Sequence, residues 1–246
     1  MGRPPLARAR MIPDILNFGR TGFADELLLG AVLTLVIAVS AFALGLVLGQ
    51  IGAMAKLYGG PISRGVMAVY TTVIRAVPEL VLILLLFFAG TRGISALGVA
   101  VGYGPIDING TLAAILVLGF VQGAYSTEVI RGAIQAIPVG QIEAARAYGM
   151  SQRLLFFRVI LPAMLPNAIP GLANLWMIAI KDTALITVTG ASAELAMATK
   201  LAAGYTKRYF LFYFMAACIY LVMTLASNFL IGKLEQRLRR GQPKLA

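Results

Sequence analysis

Five stretches of the chain are almost continuously apolar: 27–55, 66–90, 111–130, 167–190 and 209–232, with polar or basic segments between them. None shows the apolar–polar alternation of a barrel strand. Crossing a bilayer takes about 20 apolar residues in a helix. Backbone groups in hydrocarbon must be satisfied within their own segment, so the pattern predicts five transmembrane helices. Charges interrupt some of the runs: Arg75 and Glu79 lie in the second, Glu128 near the end of the third, and Lys181 and Asp182 in the second half of the fourth. Between the third and fourth runs, 132–166 mixes apolar and charged positions as amphipathic helices do. There Pro138 suits a first helical turn, Gly149 a left-handed stop, and Ser151 the N-cap of a second helix. The expectation is a helix–turn–helix knob outside the membrane. Pro162, Pro166 and Pro170 then shape the start of the fourth span.

Composition agrees with this class. Of 246 residues, 59% are hydrophobic and 13% charged, whereas soluble domains have about 25% charged residues. The excess apolar surface faces lipid. The formal net charge of +11 would suggest nucleic acid in a soluble protein, but here the basic residues sit between apolar runs and near the C-terminus, so no nucleic-acid partner is expected. The chain has no histidine, and its one cysteine, Cys218, lies in an apolar run. That inventory excludes nucleophile–histidine triads, thiolate metal sites and an internal disulfide. Residues 1–26 are basic without an apolar core of their own, and read as a tail rather than a signal peptide.

Orientation follows from loop charge. With the C-terminus in the cytoplasm, eleven basic residues lie inside and eight outside. The C-terminal cluster follows its span directly and weighs most. This places the 1–26 tail in the periplasm and the basic tail, 233–246, in the cytoplasm. Tyr205, Tyr209, Phe210, Phe212, Tyr213 and Phe214 then form an interfacial aromatic belt at the periplasmic end of the fifth span.

The knob contains QIEAARAYGMSQRLLFFRVILP, residues 141–162. This stretch resembles the EAA loop of bacterial ABC importer permeases through Glu143, Ala144, Ala145, Gly149, Ile160, Leu161 and Pro162. Small residues permit close approach to a partner surface, and a glycine allows a sharp reversal. Glu143 and Arg146 supply polar contacts at the rim. Further segments resemble the polar amino-acid permeases of the histidine/glutamine type: TTVIRAVPELVLILL (71–85), GAYSTEVIRGAI (123–134), KDTALITVTG (181–190) and LEQRLRRG (234–241). The likeness runs from about 27 to 241, and importers of histidine, lysine, arginine and ornithine, of arginine, and of opines are the nearest in kind.

The resemblance implies an all-α type I ABC importer transmembrane domain over 27–232, with a coupling loop at 138–162, in the inner membrane. It implies a second permease subunit, with a HisM-like heterodimer favoured over a homodimer. It further implies two ATP-binding subunits, a periplasmic solute-binding protein and an amino-acid substrate. The chain lacks a phosphate loop of the form G-x-x-x-x-G-K-S/T. No cofactor is therefore expected in it, and ATP and magnesium belong to the partner ATPase. Glu143, Ala144, Ala145, Arg146, Gly149 and Pro162 are the coupling candidates.

A charge at mid-membrane costs at least about 2.5 kcal/mol. Arg75, Glu79, Glu128, Lys181 and Asp182 are therefore candidates for the translocation path, or else pair with one another to hold helices together. Arg75 and Glu79, four apart, are expected on one helix face. An amino acid carries both an ammonium and a carboxylate, so opposite charges complement it. A permease for another small solute and an ion-driven secondary carrier are the competing readings; a carrier leaves the EAA loop unexplained and shows internal repeats, which are not seen here.

Overall fold

The structure, a computed structural model, describes residues 17–18 and 22–238. Residues 1–16 and 239–246, most of the two expected basic tails, lie outside the described residues. Five helices are long and apolar enough to cross a membrane, as the hydropathy pattern predicts, and no strand occurs among the described residues.

The first helix, α1 (Ala24–Tyr58), is longer at both ends than the run that predicts it. The second run does not form one helix. It divides into α2 (Pro61–Ala76) and α3 (Glu79–Ala100). Pro78 causes the break: it removes an N–H donor and forces the preceding residue out of the helical region. Val77 is accordingly extended, at φ −94° and ψ 141°. The expectation that Arg75 and Glu79 share a helix face fails for this reason, since they lie on different helices. The third run becomes α4 (Gly110–Gln135), whose N-cap Asn109 accepts hydrogen bonds from the amides of Thr111 and Leu112.

The knob is simpler than its pattern suggests. Helix α5 (Val139–Ala147) begins one residue after Pro138 and stops before Gly149, which takes φ +72°. The cap at Ser151 forms, its side chain accepting from the Leu154 amide. The helix it opens, α6 (Gln152–Leu155), is a single turn, and is not separate from the fourth span. A π turn (Phe156–Ile160) joins it directly to α7 (Leu161–Asp182). Pro162 occupies the first turn of α7, and Pro166 and Pro170 lie inside it. At Asp182 the α-helix ends and a 3-10 run (Thr183–Thr189) continues the span to the left-handed Gly190. The short helix α8 (Leu195–Thr206) has no counterpart among the five apolar runs, and α9 (Tyr209–Leu238) completes the bundle. Because α9 runs to Leu238, Lys233 and Arg237 are helical rather than part of an irregular tail.

Helices α1 and α4 form the spine. Two glycine pairs spaced by four, Gly45/Gly49 and Gly119/Gly123, let their backbones approach, as small residues do between membrane helices. A Cβ on Gly45 would stand 2.8 Å from the Gln122 Cβ, and one on Gly49 would collide with the Ser126 Cβ. The pairing of 45 with 122 and 49 with 126 makes the two helices parallel. The knob packs beneath them: Ala145, Leu155 and Ile160 join Ala53, Ile130, Ala133 and Ile134 in one core cluster. At the other end, α8 packs with Phe23, the residue before α1, with Leu27 of α1 and with Phe212 of α9. Phe212 is fully buried, edge-to-face on Phe23 at 5.6 Å. It belongs to the core and not to the belt, whereas Tyr205, Tyr209, Phe210, Tyr213 and Phe214 are exposed.

Glu194 organises this far end. It is the N-cap of α8 and is fully buried. Its carboxylate accepts from the amides of Ala196 and Met197 and from the hydroxyls of Thr34, Thr187 and Tyr220. It thereby ties α1, the 3-10 run, α8 and α9 together. Glu194→Ala should destabilise the folded chain by about 3 kcal/mol, from the lost cap plus hydroxyls left without an acceptor. Thermal unfolding in detergent, compared with wild type, measures this; an unchanged midpoint would show the hub to be dispensable.

Candidate functional site

Two helices break at one level. The α2–α3 break at Val77–Pro78 leaves Glu79 in the first turn of α3, and the end of α7 leaves Asp182 at the start of the 3-10 run. Both meet α4 near its midpoint, where Gln122 Nε2 donates to Asp182 Oδ2 at 3.1 Å. The carboxyl groups of Glu79 and Asp182 are close neighbours. Tyr125, three residues along α4, stands within electrostatic range of Glu79, Arg75 and Asp182. Broken helices of this kind free backbone groups and helix ends at the binding sites of membrane transporters.

The environment is asymmetric. Gln122 is fully buried, Asp182 is 6% exposed, Glu79 is half-buried, and Arg75 and Lys181 are exposed. Among the described residues no ion pair joins Arg75 or Lys181 to either carboxyl. Glu79 Oε1 and Gln122 Oε1 are buried acceptors without a donor. A pair of adjacent carboxyl groups in a low dielectric repels strongly when charged, and the repulsion is relieved by a cation placed between them. Chemically, such an arrangement can accept a positive, hydrogen-bond-donating group.

Glu128 is placed elsewhere. Toward the knob, its Oε1 lies 2.5 Å from Lys56 Nζ and its Oε2 2.8 Å from Arg131 Nη2. Lys56 also donates to Thr71 Oγ1 at 2.8 Å, and Arg131 to Gln135 Oε1 at 2.7 Å. This network joins the end of α1, α2 and α4 just above the knob. Its charges are satisfied by one another, and it fastens helices.

The coupling candidates are brought together on the knob. Ala145 is buried against the bundle, so it supports the knob from within, while Glu143, Ala144, Arg146 and Gly149 are exposed. Tyr148, 86% exposed beside them, extends the same surface. Pro162 lies a full π turn away, in the first turn of α7. Trp176 contacts Phe42 edge-to-face at 5.5 Å, so it packs inside the bundle rather than anchoring at an interface.

Sequence reasoning missed Gln122, Glu194 and Lys56. Gln122 lies inside a G-x-x-x-G unit, and Glu194 precedes an apolar run; those were the available signals. The reach of Lys56 to Glu128, across 72 positions, leaves no local trace.

Comparison with known proteins extends the picture. Residues 41–240 match the family model described as "Binding-protein-dependent transport system inner membrane component". The chain is 41% identical over 220 residues to the histidine/lysine/arginine/ornithine transport system permease protein HisQ of Escherichia coli (strain K12), covering 89% of this chain and 96% of that one. It is 37% identical over 229 residues to the octopine transport system permease protein OccQ of Rhizobium radiobacter, covering 93% and 96%. A crystal structure of an amino acid ABC transporter with histidines superimposes with a TM-score of 0.74 at 31% identity, over 87% of this chain and 95% of that one. Relatedness across nearly the whole fold, broken spans and knob included, establishes that the chain belongs to the binding-protein-dependent transport system inner membrane component family: it is an integral permease subunit of an ATP-binding-cassette importer, a transport component whose ATP hydrolysis takes place in a separate subunit.

Proposed function

We propose that this permease carries basic amino acids, or opine-like derivatives of them, and that Glu79 and Asp182 receive the cargo's positive side-chain group on its way through. The observation that carries this reading is the juxtaposition of those two carboxyls at two helix breaks, with no cation of the chain paired to them among the described residues. The names of the relatives, which transport basic amino acids and octopine, support it. Arg75 and Lys181, exposed at the margin, are placed to meet the cargo carboxylate.

The knob, in this reading, faces the cytoplasm and enters a groove on the partner ATPase through Glu143, Ala144, Arg146 and Gly149. Lys56, Arg131, Lys233 and Arg237 crowd the knob end of the bundle, which supports that orientation and a periplasmic N-terminus. ATP-driven closure of two ATPases draws two knobs together and opens the paired permeases outward. A distinct second permease, rather than a second copy, completes the path, and ATP with magnesium stays on the ATPases.

Co-expression tests the scheme. With Cys218 replaced by serine, a cysteine at Ala144 should cross-link to the ATPase and resist a membrane-impermeant thiol reagent added from the periplasm. Labelled arginine uptake into vesicles should require ATP, the binding protein and the second permease. Uptake driven instead by an ion gradient, or labelling of position 144 from outside, would overturn it.

A further inference from the structure

The translocation scheme uses Glu79 and Asp182 and leaves Gln122 without a role. Yet Gln122 is fully buried within a membrane span, and a buried polar group needs a reason to be there. Half of its amide is employed: Nε2 donates to Asp182 Oδ2 at 3.1 Å. An ionised Asp182 carboxylate accepts and the amide nitrogen donates, which fits that orientation. The other half is idle. Oε1 is buried without a donor, and so is Glu79 Oε1. At the root of the side chain the α1 backbone passes close by at Gly45: a Cβ there would come within 2.8 Å of the Gln122 Cβ.

We propose that Gln122 is a specificity-determining residue that makes the site prefer a guanidinium over an ammonium. The inference rests on the reading of Glu79 and Asp182 as cargo-facing groups. Gln122 holds Asp182 in one orientation and adds a neutral carbonyl acceptor beside the two carboxyls. An ammonium has three N–H donors on one point charge, which the carboxyls alone can satisfy. A guanidinium has five donors in a rigid planar fork. It can engage a carboxylate with two parallel bonds and still present donors to a further oxygen. A buried acceptor left empty by the smaller cation is a penalty that discriminates against it.

The test is a ratio. Reconstituted vesicles with saturated binding protein should be assayed for arginine and lysine uptake, wild type against Gln122→Met, which keeps length but lacks the amide. Arginine transport efficiency should fall about 30-fold and lysine by less than about threefold, the scale of an unpaired polar contact. An equal fall for both cargoes would show Gln122 to be merely structural, and no fall would show it idle; either overturns the proposal. Should the variant not assemble, the wild-type complex without binding protein decides: arginine should be retained at least about tenfold more tightly than lysine, and equal retention overturns the inference. Asp182→Asn separates the two levels, since indifference of both cargoes to that change defeats the carboxyl-pair reading itself.

Discussion

Asp182→Asn is expected to reduce uptake of a basic amino acid about 10- to 100-fold, the value of one charge-assisted hydrogen bond, while the permease still assembles. The substitution keeps the shape and still accepts from Gln122 Nε2. It removes the charge that makes the Glu79–Asp182 pair attractive to a cation. Glu79→Gln should act in the same direction but more weakly, because Glu79 is half-buried and Asp182 is 6% exposed, so solvent screens the former more. Glu128→Gln is the contrasting control. Its partners Lys56 and Arg131 hold helices, so it should lower thermal stability and leave the relative uptake of different cargoes unchanged. Uptake in vesicles together with size-exclusion of the complex measures all three. Full transport by Asp182→Asn would remove this residue from the path.

Gly49→Val should abolish accumulation of folded permease in the membrane. The Cβ alone would collide with the Ser126 Cβ and stand 3.0 Å from the Ser126 carbonyl carbon, well inside van der Waals contact. Both obstacles belong to the α4 spine, so the two helices must separate to admit the side chain. Overpacking of this sort costs typically about 1–3 kcal/mol and occasionally more; a branched residue on backbone atoms belongs to the upper end. Separation would also displace Gln122, which lies along the seam, and with it the hydrogen bond to Asp182. Gly65→Val on α2, where a Cβ meets nothing within 4 Å, should accumulate normally. Quantitative immunoblots of membrane fractions distinguish the two, and equal levels would refute the seam.

The local patterns and the tertiary site differ in how far a single stretch of chain reveals them. Gly149 stops a helix wherever it stands, because its left-handed conformation is cheap for glycine alone. Ser151 caps the next helical turn through its own side chain. Both are properties of a few neighbouring residues, and both appear in the structure as the sequence indicates. The merging of α6 with α7 was not legible. Pro162, Pro166 and Pro170 argue locally against one continuous helical span from 152 to 182, and whether a π turn or a loop joins the segments depends on how Ile160 and Leu155 pack with Ile130 and Ala53. Helix α8 escaped notice for a similar reason: it is short, and its N-cap Glu194 is defined by hydroxyls from three other elements.

The class, the spans and the protruding knob of this protein are written in its chain alone, because they depend on hydrophobic run length, on the chemistry of single glycines, prolines and caps, and on a local motif near 141–162. Folding in three dimensions decided which intramembrane charges act together. Glu79 and Glu128 look alike in the chain, each an acid inside an apolar run; folding gives Glu128 two cations as partners and gives Glu79 another carboxyl. One of those cations, Arg131, stands three residues away on the same helix; the rest of the outcome rests on contacts between residues 60 and more positions apart, set by how closely the glycines of α1 and α4 let those helices approach, and no local preference of the backbone encodes it.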